Sequence, residues 1–280
     1  KAHDELEQYV EERTTELAKT TEQLKLELAE RGRAEEAVRA AHNELAIKAG
    51  DLEAANEELS QYDHVVAHVL KAPLRAIHNY TDFLRQSFQA TLNEEQKTYL
   101  YGINRAVREG TELVDDLLEF SVVGRQTAPT RPIDIGIFLR DLIASLDLPP
   151  GVEVIMGNDW PIIDTDPTLL KHIFQHFITN AIKFNPRPQK RVEISWLPVG
   201  EEHYEVFVRD NGIGIEPRYH EQIFQVFERL HAREEYGGTG LGLAIVKKAI
   251  SKLRGSVRVE SKPGKGSTFY ATLPKVQRAR

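Results

Sequence analysis

The sequence predicts a multidomain protein: an N-terminal helical coiled coil, then an antiparallel helical hairpin, then an α+β sandwich. Three observations support this fold class. Residues 1–60 carry an apolar residue at almost every seventh position and contain no proline. Residues 61–125 have the apolar periodicity of two further helices. After a linker that contains prolines, the rest of the chain alternates short strands with helices.

Composition excludes several classes of protein. The 280 residues suffice for about two domains, and the formal net charge of −7 argues against general binding of nucleic acid. The chain has no cysteine, which excludes disulfides, thiolate chemistry and cysteine-ligated zinc. We expect a reducing, cytoplasmic location and no membrane span, since no run of about 18 apolar residues occurs. The charged start is unlike a signal peptide, and a chain that opens in a helical pattern looks like a piece of a longer protein.

The first predicted element, residues 1–60, has a heptad repeat. One phase of the repeat contains Val10, Leu17, Leu24, Arg31, Val38, Leu45, Leu52 and Leu59. The second phase is weaker and includes Glu35 and His42. An apolar seam of this period predicts a left-handed coiled coil, and its weak layers would suit a helix that transmits a signal. The alternative is a solvated, charged single helix.

Residues 61–125 are predicted to form a helical hairpin. The first helix runs from near Ser60 to about Phe88 and should bend at Pro73. The second begins near Asn93, where N-E-E-Q matches a capping box. Two amphipathic helices cannot bury both apolar stripes within one hairpin. We therefore expect a homodimer in which two hairpins form a four-helix bundle.

After a linker at 126–132, residues 133–275 are predicted to form the α+β sandwich, followed by a tail at 276–280. The predicted strands are 152–156, 191–196, 204–210, 256–261 and 267–273, and the predicted helices lie near 135–146, 167–184, 217–228 and 240–253.

Three glycine-containing segments in this region predict close approach to a ligand. They are D-N-G-I-G-I at 210–215, G-G-T-G-L-G-L at 237–243 and G-K-G-S-T-F at 264–269. Glycine tolerates positive φ, and a glycine run that opens a helix offers N–H groups to phosphate. Each segment alone could be an ordinary turn. No Lys-Ser or Lys-Thr follows the glycines, so this is not a Walker loop, and the motifs of eukaryotic-type protein kinases are absent.

The predicted helix at 169–184 places His176, Asn180 and Lys183 on one face. An amide oxygen of Asn180 suits magnesium, and Lys183 can meet phosphate as a point charge. Taken alone, these residues could equally be an ordinary polar helix face.

The order of these segments resembles a known family. The Asn-bearing helix, D-N-G-I-G-I, F-Q-V-F-E-R-L, G-G-T-G-L-G-L and G-K-G-S-T-F resemble the N, G1, F, G2 and G3 boxes of histidine-kinase ATP-binding domains. A-H-V-L-K-A-P-L-R at 67–75 resembles the H box of their dimerisation and phosphotransfer domain. Residues 61–275 are thus similar to the cytoplasmic region of two-component sensor histidine kinases found behind PAS, GAF or phytochrome sensors. The resemblance implies an ATP-binding fold of the GHKL or Bergerat type.

The resemblance also implies roles. His68 would accept the γ-phosphoryl group of ATP and pass it to an aspartate in the receiver domain of a response regulator. Asn180 would hold Mg²⁺, Lys183 would meet the phosphates, and Asp210 would accept a hydrogen bond from the adenine amino group. Phe224 and Phe227 would bear on a lid at 228–237. The other expected nucleotide-site residues are Phe184, Gly212, Gly214, Gly238, Thr239, Gly240, Leu241, Gly242, Leu243 and Thr268. A sensor domain would lie upstream of this chain.

Three residues depart from the family pattern. Val69 stands where the family usually has Asp or Glu, a carboxylate that orients the phospho-accepting imidazole. We expect weak or absent autophosphorylation, since general-base assistance is typically worth about 10²–10⁴ in rate. Ala72 stands where phosphatase-active members often have Thr or Asn, so we expect little phosphatase activity. His176 replaces an Asn and is a poor magnesium ligand, which leaves the metal to Asn180.

Three functions remain open from the sequence. The first is an ATP-dependent protein-histidine kinase with impaired activity. The second is a nucleotide-binding dimeric scaffold, a pseudokinase without phosphotransfer. The third is a GHKL-type ATPase or chaperone module, although His176 stands where ATPases of that superfamily carry a catalytic Glu.

Overall fold

The computed structural model describes residues 2–88, 91–123, 128–230 and 236–275. Within the first helix, side chains are described at Val10, from residue 13 to 51, at Ala55 and from residue 66 onward. Part of the predicted linker, the centre of the predicted lid and the tail at 276–280 lie outside the described residues.

The helices are α1 (Ala2–Phe88), α2 (Glu94–Val122), α3 (Ile135–Ser145), α4 (Pro167–Lys183) and α5 (Gly242–Lys252). The strands are β1 (Arg131–Asp134), β2 (Val152–Met156), β3 (Ile162–Thr165), β4 (Lys190–Val199), β5 (His203–Asp210), β6 (Ser256–Lys262) and β7 (Gly266–Pro274).

The chain forms two compact units, residues 1–61 and 62–280. The first unit consists of the N-terminal part of α1. Its described apolar seam residues are largely solvent-exposed, from 52% at Leu24 to 69% at Val38. Leu52 and Leu59 lie outside the described side chains. An exposed apolar stripe is unfavourable in water. We therefore still predict that a second helix packs against this seam in a coiled coil.

In the second unit, the remainder of α1 packs antiparallel to α2. Lys71 of α1 pairs with Asp115 of α2, and farther along Thr81 donates a 2.7 Å hydrogen bond to Oδ1 of Asn104. Thr81 and Asn104 are both buried, so this polar pair fixes the register of the two helices. The predicted capping box is confirmed: Asn93 and Gln96 exchange side chain to backbone hydrogen bonds at the start of α2.

The α+β domain contains a five-stranded sheet of order β2-β4-β5-β7-β6. The β2–β4 pair is parallel and the other pairs are antiparallel. Alternate residues of the central strands, such as Val206 and Val208, face the core. Helices α3, α4 and α5 contribute to that core, with Phe174, Phe177 and Ile245 fully buried. A helical N-terminal region followed by this helix-on-sheet layer agrees with the predicted fold class.

Two local predictions were wrong. The predicted helix at 217–228 consists of two short 3₁₀ helices, Pro217–Tyr219 and Gln222–Phe224. A helix cannot continue beyond them because Phe227 has a φ of 65°, in the left-handed region. Strand β1, which begins inside the predicted linker, and β3 were not predicted. Among the described strands these two pair with each other alone, and Pro132 is tolerated because β1 is an edge strand.

None of the helices in the described parts of the chain combines the length and the apolar character needed to cross a bilayer.

Candidate functional site

Helix α4 forms one wall of the candidate site. Asp166 caps its first turn by accepting a 2.7 Å hydrogen bond from the Thr168 N–H, and Pro167 supplies a preset φ at the first helical position. The apolar side chains of α4 enter the core, which leaves its polar residues on the opposite face. As predicted, His176, Asn180 and Lys183 share that face.

This face borders a cavity of about 600 Å³, within the range of small-molecule sites. The other walls come from the end of β5, the glycine segment before α5 and helix α2. Most of the expected nucleotide-site residues line it together: Asn180, Lys183, Phe184, Asp210, Gly214, Gly238, Thr239, Gly240, Gly242 and Leu243.

Asp210 lies where β5 ends at the cavity. Its Oδ1 accepts hydrogen bonds from the Gly212 N–H at 2.7 Å and the Ser267 N–H at 3.1 Å. Burial raises the pKa of Asp210 to about 6, and these two bonds offset only part of that effect. Its second oxygen has no hydrogen-bond partner among the described residues, and such an oxygen can accept from an amino group of a ligand.

Two glycines allow the backbone to approach closely here. A side chain at Gly212 would lie 2.3 Å from the carbonyl oxygen of Phe184, so glycine keeps the β5 turn against the end of α4. Gly240 has a φ of +79°, and a side chain there would lie 2.9 Å from the backbone of Phe227. The Phe227 N–H donates to the Gly240 carbonyl at 3.1 Å, so the two segments are fastened together.

Four predicted site residues do not line the cavity, and neither does His68. Gly212 lies outside the lining, where it allows the turn after β5 to pack against Phe184. Leu241 is fully buried in the core, and Thr268 accepts a 3.3 Å hydrogen bond from Arg209. Phe227 is half-exposed and directly precedes the predicted lid. His68 is exposed on α1, one turn before Lys71, and Val69 beside it is 61% exposed.

Sequence reasoning missed the contribution of α2. Three of its carboxylates, which we call the acidic row (Glu112, Asp116 and Glu119), line the same cavity. Asp116 accepts a hydrogen bond from the hydroxyl of Thr239. The spacing of the row, four and then three residues, indicates a common helix face. It carries no family motif, so only the packing of α2 against the α+β domain reveals the row.

Glu119 is the most strongly held member of the row. Its Oε1 lies 2.5 Å from Nδ1 of His172 and 3.0 Å from Nε2 of His176. Burial opposes the ionised form, but the hydrogen bonds from the two histidines lower the pKa of Glu119 to about 2. Next to it along α2, the backbone carbonyl of Phe120 accepts a hydrogen bond from Lys248 of α5.

Cationic groups face the acidic row. Burial lowers the pKa of Lys183, the nearby charge of Glu112 opposes this, and Arg229 lowers it further. Arg229 also lines the cavity, and its Nη2 atom is buried without a hydrogen-bond partner among the described residues. An unpaired buried guanidinium donor is costly unless an anion completes it. Arg229, in the F-Q-V-F-E-R-L segment, is therefore a second candidate ligand for phosphate that the sequence motifs did not single out.

Within the described residues, no group of three or more His, Asp or Glu side chains could hold a metal ion. The Nε2 atom of His176 is engaged by Glu119, so on this face of α4 Asn180 is the residue suited to Mg²⁺. The donor set fits a magnesium ion that takes most of its ligands from phosphate and water.

Two family models match the chain. Residues 59–124 match the "His Kinase A (phospho-acceptor) domain" and residues 165–277 match the "Histidine kinase-, DNA gyrase B-, and HSP90-like ATPase". Cyanobacterial phytochrome B of Nostoc sp. is 36% identical over 84% of this chain and 32% of its own length. The phytochrome-like protein Cph1 of Synechocystis sp. is 36% identical over 82% of this chain and 31% of its own length. The chain thus spans about a third of the length of these curated relatives.

Among solved structures, full-length ShkA in complex with AMPPNP is similar, with a TM-score of 0.58 and 25% identity. The match covers 79% of this chain and 47% of ShkA. Since a match to the phospho-acceptor domain precedes a match to the ATPase domain on one chain, and relatives are 36% identical over more than four fifths of it, this chain belongs to the histidine kinases.

Proposed function

We propose that this chain is the kinase region of a sensor histidine kinase, which transfers the γ-phosphoryl group of ATP to His68 and then to an aspartate of a response regulator. The observation that carries the proposal is the cavity in the ATPase domain. Its lining combines a buried carboxyl, Asp210, with the cationic groups of Lys183 and Arg229. The AMPPNP bound by ShkA supports an adenine nucleotide as the ligand.

In this proposal the adenine amino group donates to Asp210 while Lys183 and Arg229 bind the phosphates. Asn180 would hold Mg²⁺, which neutralises charge on the phosphate chain. The glycine segment at 237–243 gives the phosphates access to the N-terminus of α5. Phosphoryl transfer needs mainly positioning and charge neutralisation, and these residues can provide both.

The transfer step itself involves His68. A nitrogen of its neutral imidazole attacks the γ-phosphorus, the bond from that phosphorus to the ADP oxygen breaks, and ADP leaves with the electron pair. The N–H proton of the imidazolium must then go to a base or to water. His68 is exposed and outside the cavity, so the transfer requires the ATPase domain to move relative to α1.

Val69 favours a second candidate, a nucleotide-binding scaffold without phosphotransfer. Val69 is an exposed apolar side chain beside the acceptor histidine, at the position where the family usually has a carboxylate. A valine cannot orient the imidazole or take its proton. We therefore propose that autophosphorylation is slow, and the His Kinase A domain favours a homodimer as the working unit.

The test is incubation with Mg²⁺ and γ-labelled ATP of the parent chain and of the variants His68→Gln and Val69→Asp. Acid-labile label that is weak in the parent, at least about tenfold stronger in Val69→Asp and absent in His68→Gln would support the kinase. Label in His68→Gln equal to that in the parent would contradict the role of His68. Equal labelling of parent and Val69→Asp would contradict the impairment. Nucleotide binding without label in any form would favour the scaffold.

A further inference from the structure

We propose that the acidic row of α2 occupies the phosphate end of the nucleotide site and competes there with the phosphates of ATP. Docking of α2 in the arrangement seen here would therefore hold the kinase in a low-affinity state. The inference rests on the proposed function, because it assumes that the cavity binds a nucleotide.

Specific contacts of α2 engage the parts of the ATPase domain that are expected to bind phosphate. Asp116 accepts a hydrogen bond from the hydroxyl of Thr239, in the middle of the glycine segment. Glu119 accepts from His176 and His172 of α4, which lie about one and two turns before Asn180. Glu112 lies near enough to Lys183 to influence its charge. Glu112 and Asp116 thus meet groups that a triphosphate would otherwise approach, and Glu119 brings a further carboxylate to the same cavity.

Charge makes joint occupancy unfavourable. A nucleotide triphosphate with its magnesium carries net negative charge, and the row adds up to three carboxylates to the same cavity of about 600 Å³. Like charges at short range in a partly buried site repel strongly. The charges of Lys183 and Arg229 can be neutralised either by the carboxylates of the row or by the phosphates. The row and the phosphates therefore compete for the same two cations.

Docking lowers the apparent affinity because the binding-competent state is then only part of the population. Removing the charge of one member of the row weakens the docking of α2 and also removes the repulsion between that carboxylate and the phosphates. Both effects should raise the affinity for the nucleotide. We expect Mg-ADP to bind roughly threefold to thirtyfold more tightly to Asp116→Asn or Glu119→Gln. Asn and Gln keep an oxygen acceptor for Thr239 or the histidines, so the variants test charge more than hydrogen bonding.

Isothermal titration calorimetry with Mg-ADP should compare the parent, the two variants, their double variant and the control Asp115→Asn. Asp115 lies next to the row but pairs with Lys71 and does not line the cavity. Tighter binding in the row variants with an unchanged control supports the inference. Unchanged or weaker binding in the row variants overturns it, since the carboxylates would then be neutral toward the nucleotide or assist its metal. If neither the parent nor any variant binds Mg-ADP, although all of them unfold cooperatively with similar transitions, the proposed nucleotide site itself is overturned.

A second measurement follows docking directly and does not depend on the row variants. The chain has no cysteine, so thiols introduced at Phe120 and Lys248 would be the only ones present. These two residues are in contact but do not line the cavity. A short bismaleimide should cross-link them in the nucleotide-free Phe120→Cys/Lys248→Cys chain, and saturating Mg-ADP should reduce the yield severalfold. A yield independent of Mg-ADP, in a chain that calorimetry shows to bind it, would overturn the competition.

Discussion

At the residue scale, Asp210 illustrates how one buried carboxyl links nucleotide binding to pH. Its pKa rises from 3.8 to about 6 because it is buried, so the folded protein holds the proton more tightly than the unfolded chain. A group of this kind costs stability as pH rises through that interval, and the cost is complete above about pH 6. The magnitude is of the order of 1–3 kcal/mol at neutral pH.

The substitution Asp210→Asn should therefore stabilise the nucleotide-free protein at pH 8 and not at pH 4. A gain of this size corresponds to a rise in the melting temperature of roughly 2–6 °C. The neutral amide keeps an oxygen acceptor for Gly212 and Ser267 but places its amino group where the adenine amino group would donate, so Mg-ADP affinity should fall. Thermal melts from pH 4 to pH 8 check the first effect, with Asp141→Asn, an exposed position on α3, as the control. A stability gain independent of pH would contradict this account.

Gly240 leads to a second residue-scale prediction. Alanine there must adopt a φ of +79° with its Cβ 2.9 Å from the Phe227 backbone, so we expect Gly240→Ala to lose about 1–3 kcal/mol of stability. Mg-ADP affinity should fall as well, because the glycine segment would shift away from Lys183. Gly237→Ala is the matched control in the same segment, since no atom of the described residues lies within 4 Å of the place that its methyl group would occupy. Chemical denaturation of both variants decides between a strained position and a permissive one.

At the scale of elements, the contact between α2 and α4 depends on the charge of Glu119. Its pKa falls from 4.5 to about 2 through the hydrogen bonds from His172 and His176, against the effect of burial. A depressed carboxyl pKa contributes stability that is present above about pH 4.5 and is lost as the pH falls toward 2. Another member of the row, Asp116, which pairs with Thr239 and not with α4, has a pKa raised by burial, with the Thr239 hydrogen bond opposing.

We accordingly expect Glu119→Gln to be less stable than the parent at pH 7, by about 1–3 kcal/mol, and the difference to shrink as the pH is lowered from about 5 toward 3. Urea denaturation across that range is the measurement. Glu153→Gln, at an exposed position on β2, is the control and should differ little from the parent at any pH. A difference that grows on acidification would mean that the histidines do not hold the Glu119 carboxylate.

Elements with strong local signals could be predicted from the sequence. The start of α2 follows from Asn93 and Gln96, because a capping box involves residues three apart. The strand β1 could not be predicted: it is four residues long, contains Pro132, and exists only because Ile162–Thr165 pairs with it. The left-handed φ of Phe227, which ends the helical region after β5, likewise goes with a distant contact, the hydrogen bond from Phe227 to Gly240.

The candidate site divides in the same way. Asp210, Asn180 and the glycines lie in short motifs, and the structure brings most of them to one cavity. Glu119 could not be anticipated, because its partner His172 is 53 residues away and neither belongs to a motif that predicts the contact. Arg229 was within reach of sequence reasoning, since a cation within the expected lid is a reasonable phosphate ligand.

At the scale of the whole molecule, the exposed seam of α1 predicts self-association. Leu24 lies on the seam and Leu26 lies off it, yet both are exposed in the single chain, at 52% and 63%. Burial of a leucine contributes about 1.5–3 kcal/mol per chain, so Leu24→Glu should raise the dimer dissociation constant at least roughly tenfold. Leu26→Glu should have little effect. Sedimentation equilibrium measures both, and equal effects of the two variants would argue for a solvated single helix.

The polar contacts between α1 and α2 restrict how these helices can move past each other. His78 lies 3.1 Å from the Asn104 Oδ1 that also accepts from Thr81, and Lys71 holds Asp115 farther along the hairpin. A piston-like slide of one helical turn, about 5.4 Å, would strand the buried Asn104 amide and break the ion pair together. Rotation or tilting about the Asn104 contact keeps the amide paired. The Asn104 contact therefore acts as a pivot between the two helices. A rotation of α1 is transmitted to the turn that carries His68, whereas a translation along the axis of α1 is resisted.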